Sequence, residues 1–390
     1  MSTDSPDSEE PKQVMIIAGE ASGDTHAAEM FQALRSMRPG LQAYGMGSAR
    51  MREAGIELLV DANEISVMGL WEVLLQYRKL KRTLNYLQDE MLRRRPDLLI
   101  LVDFVEFNLK LAEAAKQAGI RVLFYVSPQI WAWRPGRIHK IGQKIDMMAV
   151  IFPFEVSYYQ KAGIPVRYVG HPLVDQVMES REKAVPIELE GPGPVVGLLP
   201  GSRRGEIQRI LPVLLESAAL LRERHANIQF LLPLAHTLTA ADLQPLLDQY
   251  PDLPLTVIEG RSHDVMAASD AVIASSGTAT LEIALYDVPM VIVYRLATLT
   301  YWIVKSLVSI DYAGLPNIVA GREVVREFIQ GEARPELICE EIDRILTDSR
   351  YQAKIRVDLE EVREKLGEGG GTQRVAEVAD EMLDGRIISE

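Results

Sequence analysis

The 390-residue chain carries one cysteine, Cys339, so it can form no internal disulfide, and its six histidines make no Cys/His cluster of the kind that holds structural zinc. A reducing, cytoplasmic setting fits this composition. No apolar run reaches the roughly 18 to 20 residues needed to cross a bilayer; the nearest stretch, Leu296 to Ile310, is broken by Lys305 and several hydroxyl residues. Asp-x-Asp is absent, which removes the carboxylate pair that would hold a metal-bound diphosphate, and no metal or other cofactor is called for. The dinucleotide pattern Gly-x-Gly-x-x-Gly is also missing, Gly45-Met46-Gly47 supplying only two of its glycines. Positive charge is in deficit, and a net charge of −13 disfavours nucleic acid as a partner. Residues 1–12 lack the basic start and apolar run of a signal peptide and read as a disordered, solvated leader.

What is present is a doubled α/β plan. Apolar residues make up 47% of the chain, enough for two cores. Short apolar runs bounded by Gly, Pro or Asp predict buried parallel strands at Val14–Ala18, Gln42–Met46, Leu98–Asp103, Val122–Val126, Met147–Phe152 and Val166–Val169. A second series follows at Val195–Leu199, Gln229–Leu232, Leu255–Ile258, Ala271–Ala274 and Met290–Val293. Helical spacing fills the crossovers at Ala27–Met37, Leu109–Ala118, Glu206–Arg224 and Thr278–Leu285. The expected organisation is an N-terminal domain over 13–178, a proline-containing linker over 179–194, a C-terminal domain over 195–334, and a helical tail over 335–390 that packs on the first domain or on a partner chain. Two doubly wound, Rossmann-like domains in tandem bind ligands at the carboxyl ends of their strands, an arrangement suited to two substrates and to group transfer.

The polar turns at strand ends carry the chemistry. Ser276-Gly277-Thr278 follows a strand and opens a helix, so its free amides and the positive dipole end form an anion site, although an ordinary Ser/Thr helix cap would look the same. Gly201-Ser202-Arg203 places a second turn and a fixed cation at another strand end of that domain, and the two together suit a diphosphate. In the first domain Asp103 ends a strong strand, where a carboxylate serves as a general base or, equally simply, as a helix cap; Glu20 is the second carboxylate of that kind. Ser66 to Leu92 reads as one long helix. Val67, Met68, Leu70, Trp71, Leu74 and Leu75 crowd its start, and the basic window Arg78 to Arg95 follows. A core helix with a solvated end and an interfacial membrane contact both fit this pattern, with Trp131 and Trp133 in a basic loop alongside. Asn317 stands in a turn signal where Asn often serves the backbone alone, and His139 and His171 read as structural.

Taken together the motifs resemble those of lipid-A-disaccharide synthases, inverting GT-B-type glycosyltransferases. The matching segments are Ala18 to Asp24, which contains Glu20 and Ser22; Val67-Met68-Gly69; Tyr125 to Arg134; Gly170-His171; Leu199 to Arg203; Ser276 to Ala279 with Glu282; and Leu315-Pro316-Asn317 with Ala320-Gly321-Arg322. The resemblance implies transfer of 2,3-diacylglucosamine from UDP-2,3-diacylglucosamine to 2,3-diacylglucosamine 1-phosphate, forming a β-1,6-linked disaccharide and UDP. It implies a donor site of Gly201, Ser202, Arg203, Ser276, Gly277, Thr278, Glu282 and Asn317, with Glu282 toward the ribose hydroxyls. Asp103 or Glu20 acts as base. Ser22, Val67, Met68, Leu70, Trp71, Leu74, Trp131 and Trp133 meet the acceptor or an anionic membrane surface, placing the enzyme on the inner face of the bacterial inner membrane. A homodimer with exchanged C-terminal segments is implied as well. The family pattern is similar to Asp-x-Pro-Asp-Phe-Asn; this chain reads Asp103-Phe104-Val105-Glu106-Phe107-Asn108, so Asp103 is retained and Glu106 departs from the pattern. Two rivals remain from the residues alone: a UDP-sugar 2-epimerase-like enzyme, and a non-catalytic nucleotide-sugar-binding protein.

Overall fold

The computed structural model describes residues 11–64, 73–131, 135–189, 191–296, 301 and 311–386. Contacts group these into two compact units, Met1–Pro172 with Gly370–Glu390, and Leu173–Gly369. Each is built on a parallel sheet.

In the first unit the strands are β1 (Gln13–Ala18), β2 (Gln42–Gly47), β3 (Glu57–Asp61), β4 (Leu98–Val102), β5 (Arg121–Tyr125), β6 (Met147–Val150) and β7 (Val166–Tyr168), in the order β3-β2-β1-β4-β5-β6-β7. β4, Leu-Leu-Ile-Leu-Val, is buried along its whole length, as a central parallel strand with both faces covered must be. The helices Ala21–Met37 and Val105–Gln117 bury apolar faces on the sheet, and Gly40 (φ +102°) and Gly119 (φ +75°) follow them in the left-handed region.

The second unit contains β8 (Val195–Leu199), β9 (Gln229–Leu234), β10 (Leu255–Glu259), β11 (Ala271–Ser275), β12 (Met290–Tyr294) and β13 (Glu327–Ile329), ordered β10-β9-β8-β11-β12-β13. The helices Arg204–Arg224 and Thr278–Leu285 provide crossovers. Both sheets are α/β and doubly wound: each begins at a central strand, winds to one edge, then resumes on the other side of that first strand.

The units divide the chain differently from its composition. The segment read as a linker from residue 179 begins inside the helix Pro172–Glu182, and the last helices go to different units. Pro335–Thr347 and Ser349–Leu366 lie in the second unit, whereas Gly371–Leu383 packs on Ala21–Met37, β4 and β5 of the first. That helix buries Val375, Val378, Met382 and Leu383, and its polar edge is fastened by Arg38 to Asp380, by Arg38 to Asp384 at 2.5 Å, and by Arg167 to Glu381 at 2.8 Å.

Candidate functional site

In the first sheet the winding direction reverses between β1 and β4, which pair in register from Val14 with Leu98 to Ala18 with Val102. Ligands of doubly wound sheets bind at such a switch point, beyond the carboxyl ends of the strands. Glu20 lies two residues past β1, exposed, at the cap of Ala21–Met37; Asp103 follows β4 directly. The structure therefore brings the two sequence-selected carboxylates together. Burial first, and the charge of Glu20 second, raise the Asp103 carboxyl above its usual range, against a hydrogen bond from the Phe104 amide. A carboxylate with raised proton affinity is a stronger base.

The backbone around Asp103 is strained. Asp103 (φ +49°) and Phe104 (φ +43°) are consecutive left-handed residues, a conformation that non-glycine side chains resist. The fully buried Asn108 fixes this turn, its Nδ2 donating to the Asp103 carbonyl at 2.7 Å and to the Val102 carbonyl at 3.3 Å. Gly19 makes room for it, because a Cβ there would lie 2.4 Å from the Phe104 ring. Asp24, in the same opening motif, is structural: its carboxylate accepts from the Ser48 amide at 2.5 Å and the Arg50 amide at 3.0 Å, capping the short helix Ala49–Glu53. Ser22 is exposed on the first turn of its helix.

Trp131 corrects an expectation. Rather than standing free for an acceptor or a membrane surface it is buried, its Nε1 donating to Glu155 Oε1 at 3.2 Å and its ring edge-on to Phe154 at 5.1 Å. A buried indole needs a partner for its N–H, and Glu155 supplies one. Val67, Met68, Leu70, Trp71 and Trp133 lie outside the described residues, as do the side chains of Leu74 and Leu75; the helix Val73–Arg94 continues into exposed Arg78, Lys79, Lys81 and Arg82.

In the second unit the switch point falls between β8 and β11, and the carboxyl ends of β8, β9, β10 and β11 open into a cavity of about 450 Å³. Gly201, Ser202, Arg203, Ser276, Gly277, Thr278 and Glu282 all line it. The first loop is shaped by Glu206, whose Oε2 accepts from the amides of Ser202 at 3.0 Å and Arg203 at 3.3 Å. Its Oε1 meets Arg203 Nη1 at 3.2 Å, yet the Arg203 side chain remains 81% exposed and can turn to an anion. Gly201 takes φ +108°, and a Cβ there would strike Glu206. Ser276 Oγ donates to the Ala313 carbonyl at 2.8 Å, fixing the second loop, and the helix Thr278–Leu285 starts at the cavity wall. Glu282 Oε2 stands 3.7 Å from His263 Nε2. The site thus combines helix amides, hydroxyls and an exposed cation, the groups that neutralise a diphosphate.

Asn317 does not belong to this cavity. It is fully buried, donating to the Val325 carbonyl at 2.8 Å and Glu327 Oε1 at 2.7 Å and accepting from the amides of Val324 at 2.7 Å and Val325 at 3.0 Å, so its amide has no capacity left for a nucleotide. Conversely Glu206, His236, Gly260 and Ser262 line the cavity and were not singled out by the sequence. The usable signal was positional, since His236 and Gly260 fall just beyond β9 and β10. Among the described residues no group of three His, Cys, Asp or Glu is placed to hold a metal ion.

Comparison with known proteins matches this geometry to a family. A sequence model of the lipid-A-disaccharide synthetase family matches residues 14–381. The lipid-A-disaccharide synthase of Geobacter sulfurreducens is 49% identical over 378 residues, covering 96% of this chain and 98% of that protein. Among solved structures, UDP-GlcNAc 2-epimerase from Neisseria meningitidis bound to UDP-GlcNAc aligns with a TM-score of 0.65 at 15% identity, covering 95% of this chain and 100% of the other. The glycotransferase of kitacinnamycin aligns with a TM-score of 0.62 at 13% identity, covering 96% and 100%. At such identities these two share the GT-B fold, and the epimerase likeness is one of fold alone. The chain belongs to the lipid-A-disaccharide synthase family, and it is a glycosyltransferase that takes a UDP-sugar donor and an acceptor.

Proposed function

We propose that Asp103 is the general base of this glycosyltransferase, with Glu20 raising its proton affinity, and that the cavity of the second unit holds the UDP moiety of the donor. The acceptor is 2,3-diacylglucosamine 1-phosphate and the donor is UDP-2,3-diacylglucosamine. Asp103 takes the proton of the acceptor 6-hydroxyl as that oxygen bonds to the donor's anomeric carbon from the face opposite UDP. The bond from that carbon to the diphosphate breaks, its electron pair leaving with UDP, and the configuration inverts. Arg203 and the amides of the Ser276-Gly277-Thr278 turn stabilise the departing charge, and Glu282 meets the ribose hydroxyls.

The observation that carries this reading is Asp103 itself, a half-buried carboxylate on a strained turn at the switch point beside Glu20. Such strain persists where the surrounding structure enforces it for a purpose. The experiment is incubation of the purified protein with both lipid substrates: a disaccharide 1-phosphate with one UDP per product supports the reading, whereas UDP release without acceptor, or an epimerised donor, overturns it.

Attachment to the membrane belongs to the same proposal. No helix among the described residues is long and apolar enough to cross a bilayer. Val67, Met68, Leu70, Trp71 and Leu74 enter the inner leaflet instead, with Arg78, Lys79, Lys81 and Arg82 on its anionic headgroups. A homodimer with exchanged C-terminal segments would form the Arg38 pairs to Asp380 and Asp384 between copies, and a monomeric solution mass of the purified protein would overturn it.

A further inference from the structure

The segment leaving β5 begins beside the proposed base: the Asp103 amide donates to the carbonyl of Tyr125, the last residue of β5, at 3.1 Å. From there to Trp131 the chain is pinned at nearly every step. Val126 is held at φ +66°, an outlier for a β-branched residue, with its amide on the Ala149 carbonyl at 3.1 Å. Ser127, buried, shares a hydrogen bond of 2.8 Å with the Tyr159 hydroxyl. Trp131 then closes the segment on Glu155, whose other oxygen accepts from the Phe152 amide at 3.1 Å.

Glu155 is 1% exposed, and no cation pairs with it among the described contacts. Burying a carboxyl group is costly even when it is hydrogen-bonded, and a leucine in its place would suit a core that only had to be full. We infer that Glu155 and Trp131 form a positioning pair which holds the 126–131 segment as a wall beside Asp103, against which the acceptor sugar is oriented. Neither residue touches the reacting atoms. The inference rests on the reading that the acceptor binds the first unit.

Steady-state kinetics with both lipid substrates in detergent, together with calorimetric UDP binding, test it. Trp131→Phe keeps the ring and removes the donor; Glu155→Ala removes both acceptors. Each should raise the acceptor KM about tenfold, the worth of a buried hydrogen bond lost with one partner left unmet, while donor KM and UDP affinity stay at wild-type values. Glu155→Gln keeps one acceptor oxygen for the indole but turns its NH2 toward the Phe152 N–H, so it should bring the acceptor KM only part of the way back. A general packing defect would move both substrates together and would not respond to Gln. If Glu155→Ala fails to fold, the milder Trp131→Phe decides. A Trp131→Phe variant with unchanged acceptor KM, or with donor KM and UDP affinity weakened in parallel, overturns this inference alone when the wild type forms disaccharide; a wild type that forms none overturns both readings.

Discussion

Glu155 also gives the structure a measurable dependence on pH. Its burial, opposed by hydrogen bonds from the Phe152 amide and the side chains of Ser127 and Trp131, moves its carboxyl from 4.5 to about 7. Below pH 4.5 folded and unfolded chains both hold the proton. Between 4.5 and about 7 the unfolded chain releases it first, so stability falls as pH rises, and above 7 the loss is complete. At ~1.4 kcal/mol per pH unit the gap corresponds to ~3 kcal/mol. Glu155→Gln has no proton to lose and should escape this decline. His26 and His171, lowered by burial to about 4 and about 3, act in the opposite sense, adding stability as pH rises toward 6.5. Those contributions are common to both proteins and cancel in the difference. The assay is urea unfolding of wild type and Glu155→Gln from pH 4.5 to 8. The variant's stability relative to wild type should grow with pH by ~3 kcal/mol across that range. A difference that is flat, or that shrinks as pH rises, refutes the assignment of Glu155 as a buried acid.

Asp103→Ala should lower kcat by ~10² to 10⁴ while UDP binding is retained, and in the wild type the acid limb of the rate profile should lie above the ordinary carboxylate range, because the base must be ionised and its proton affinity is raised; a variant keeping more than about a tenth of wild-type kcat passes the role to Glu20. Arg203→Ala should weaken UDP binding by roughly 1.5 to 3 kcal/mol as well as slow turnover, and unchanged UDP affinity by calorimetry would remove Arg203 from the diphosphate. Replacing Leu70, Trp71 and Leu74 together with serine should move the protein from the membrane fraction to the soluble one with detergent-dispersed turnover retained; unfolding or aggregation of that variant would assign these residues to the core.

Most of the sheet framework can be read from the chain because buried parallel strands are continuous apolar runs. The two strands that sequence reasoning missed, β3 (Glu57–Asp61) and β13 (Glu327–Ile329), are edge strands with little apolar run to read: three apolar residues between Glu57 and Asp61 in β3, and only Phe328 and Ile329 after Glu327 in β13. Asp103 and Glu20 were readable from their places after apolar strands, but their proximity comes from the β1 and β4 pairing, which no local pattern encodes. Asn317 and Trp131 show the opposite limit. A polar group in a motif looks the same whether its hydrogen bonds go to a ligand or to Val324, Val325 and Glu327, or in the indole's case to Glu155. Glu206 was seen only as the start of a helix, although its carboxylate shapes the loop at the cavity.

The placement of Gly371–Leu383 in the first unit bears on how the protein is made. A ribosome completes that helix only after translating all of Leu173–Gly369, so the first unit waits for its last piece while the second is synthesised. At about 5–20 residues per second the wait is on the order of 10 to 40 s. Throughout it, the surface of Ala21–Met37, β4 and β5 that the helix will cover has no partner from its own chain, and Arg38 lacks Asp380 and Asp384. The unit encoded first is therefore the one finished last, and the nascent chain is most open to chaperones and to mispairing with a second copy during that interval.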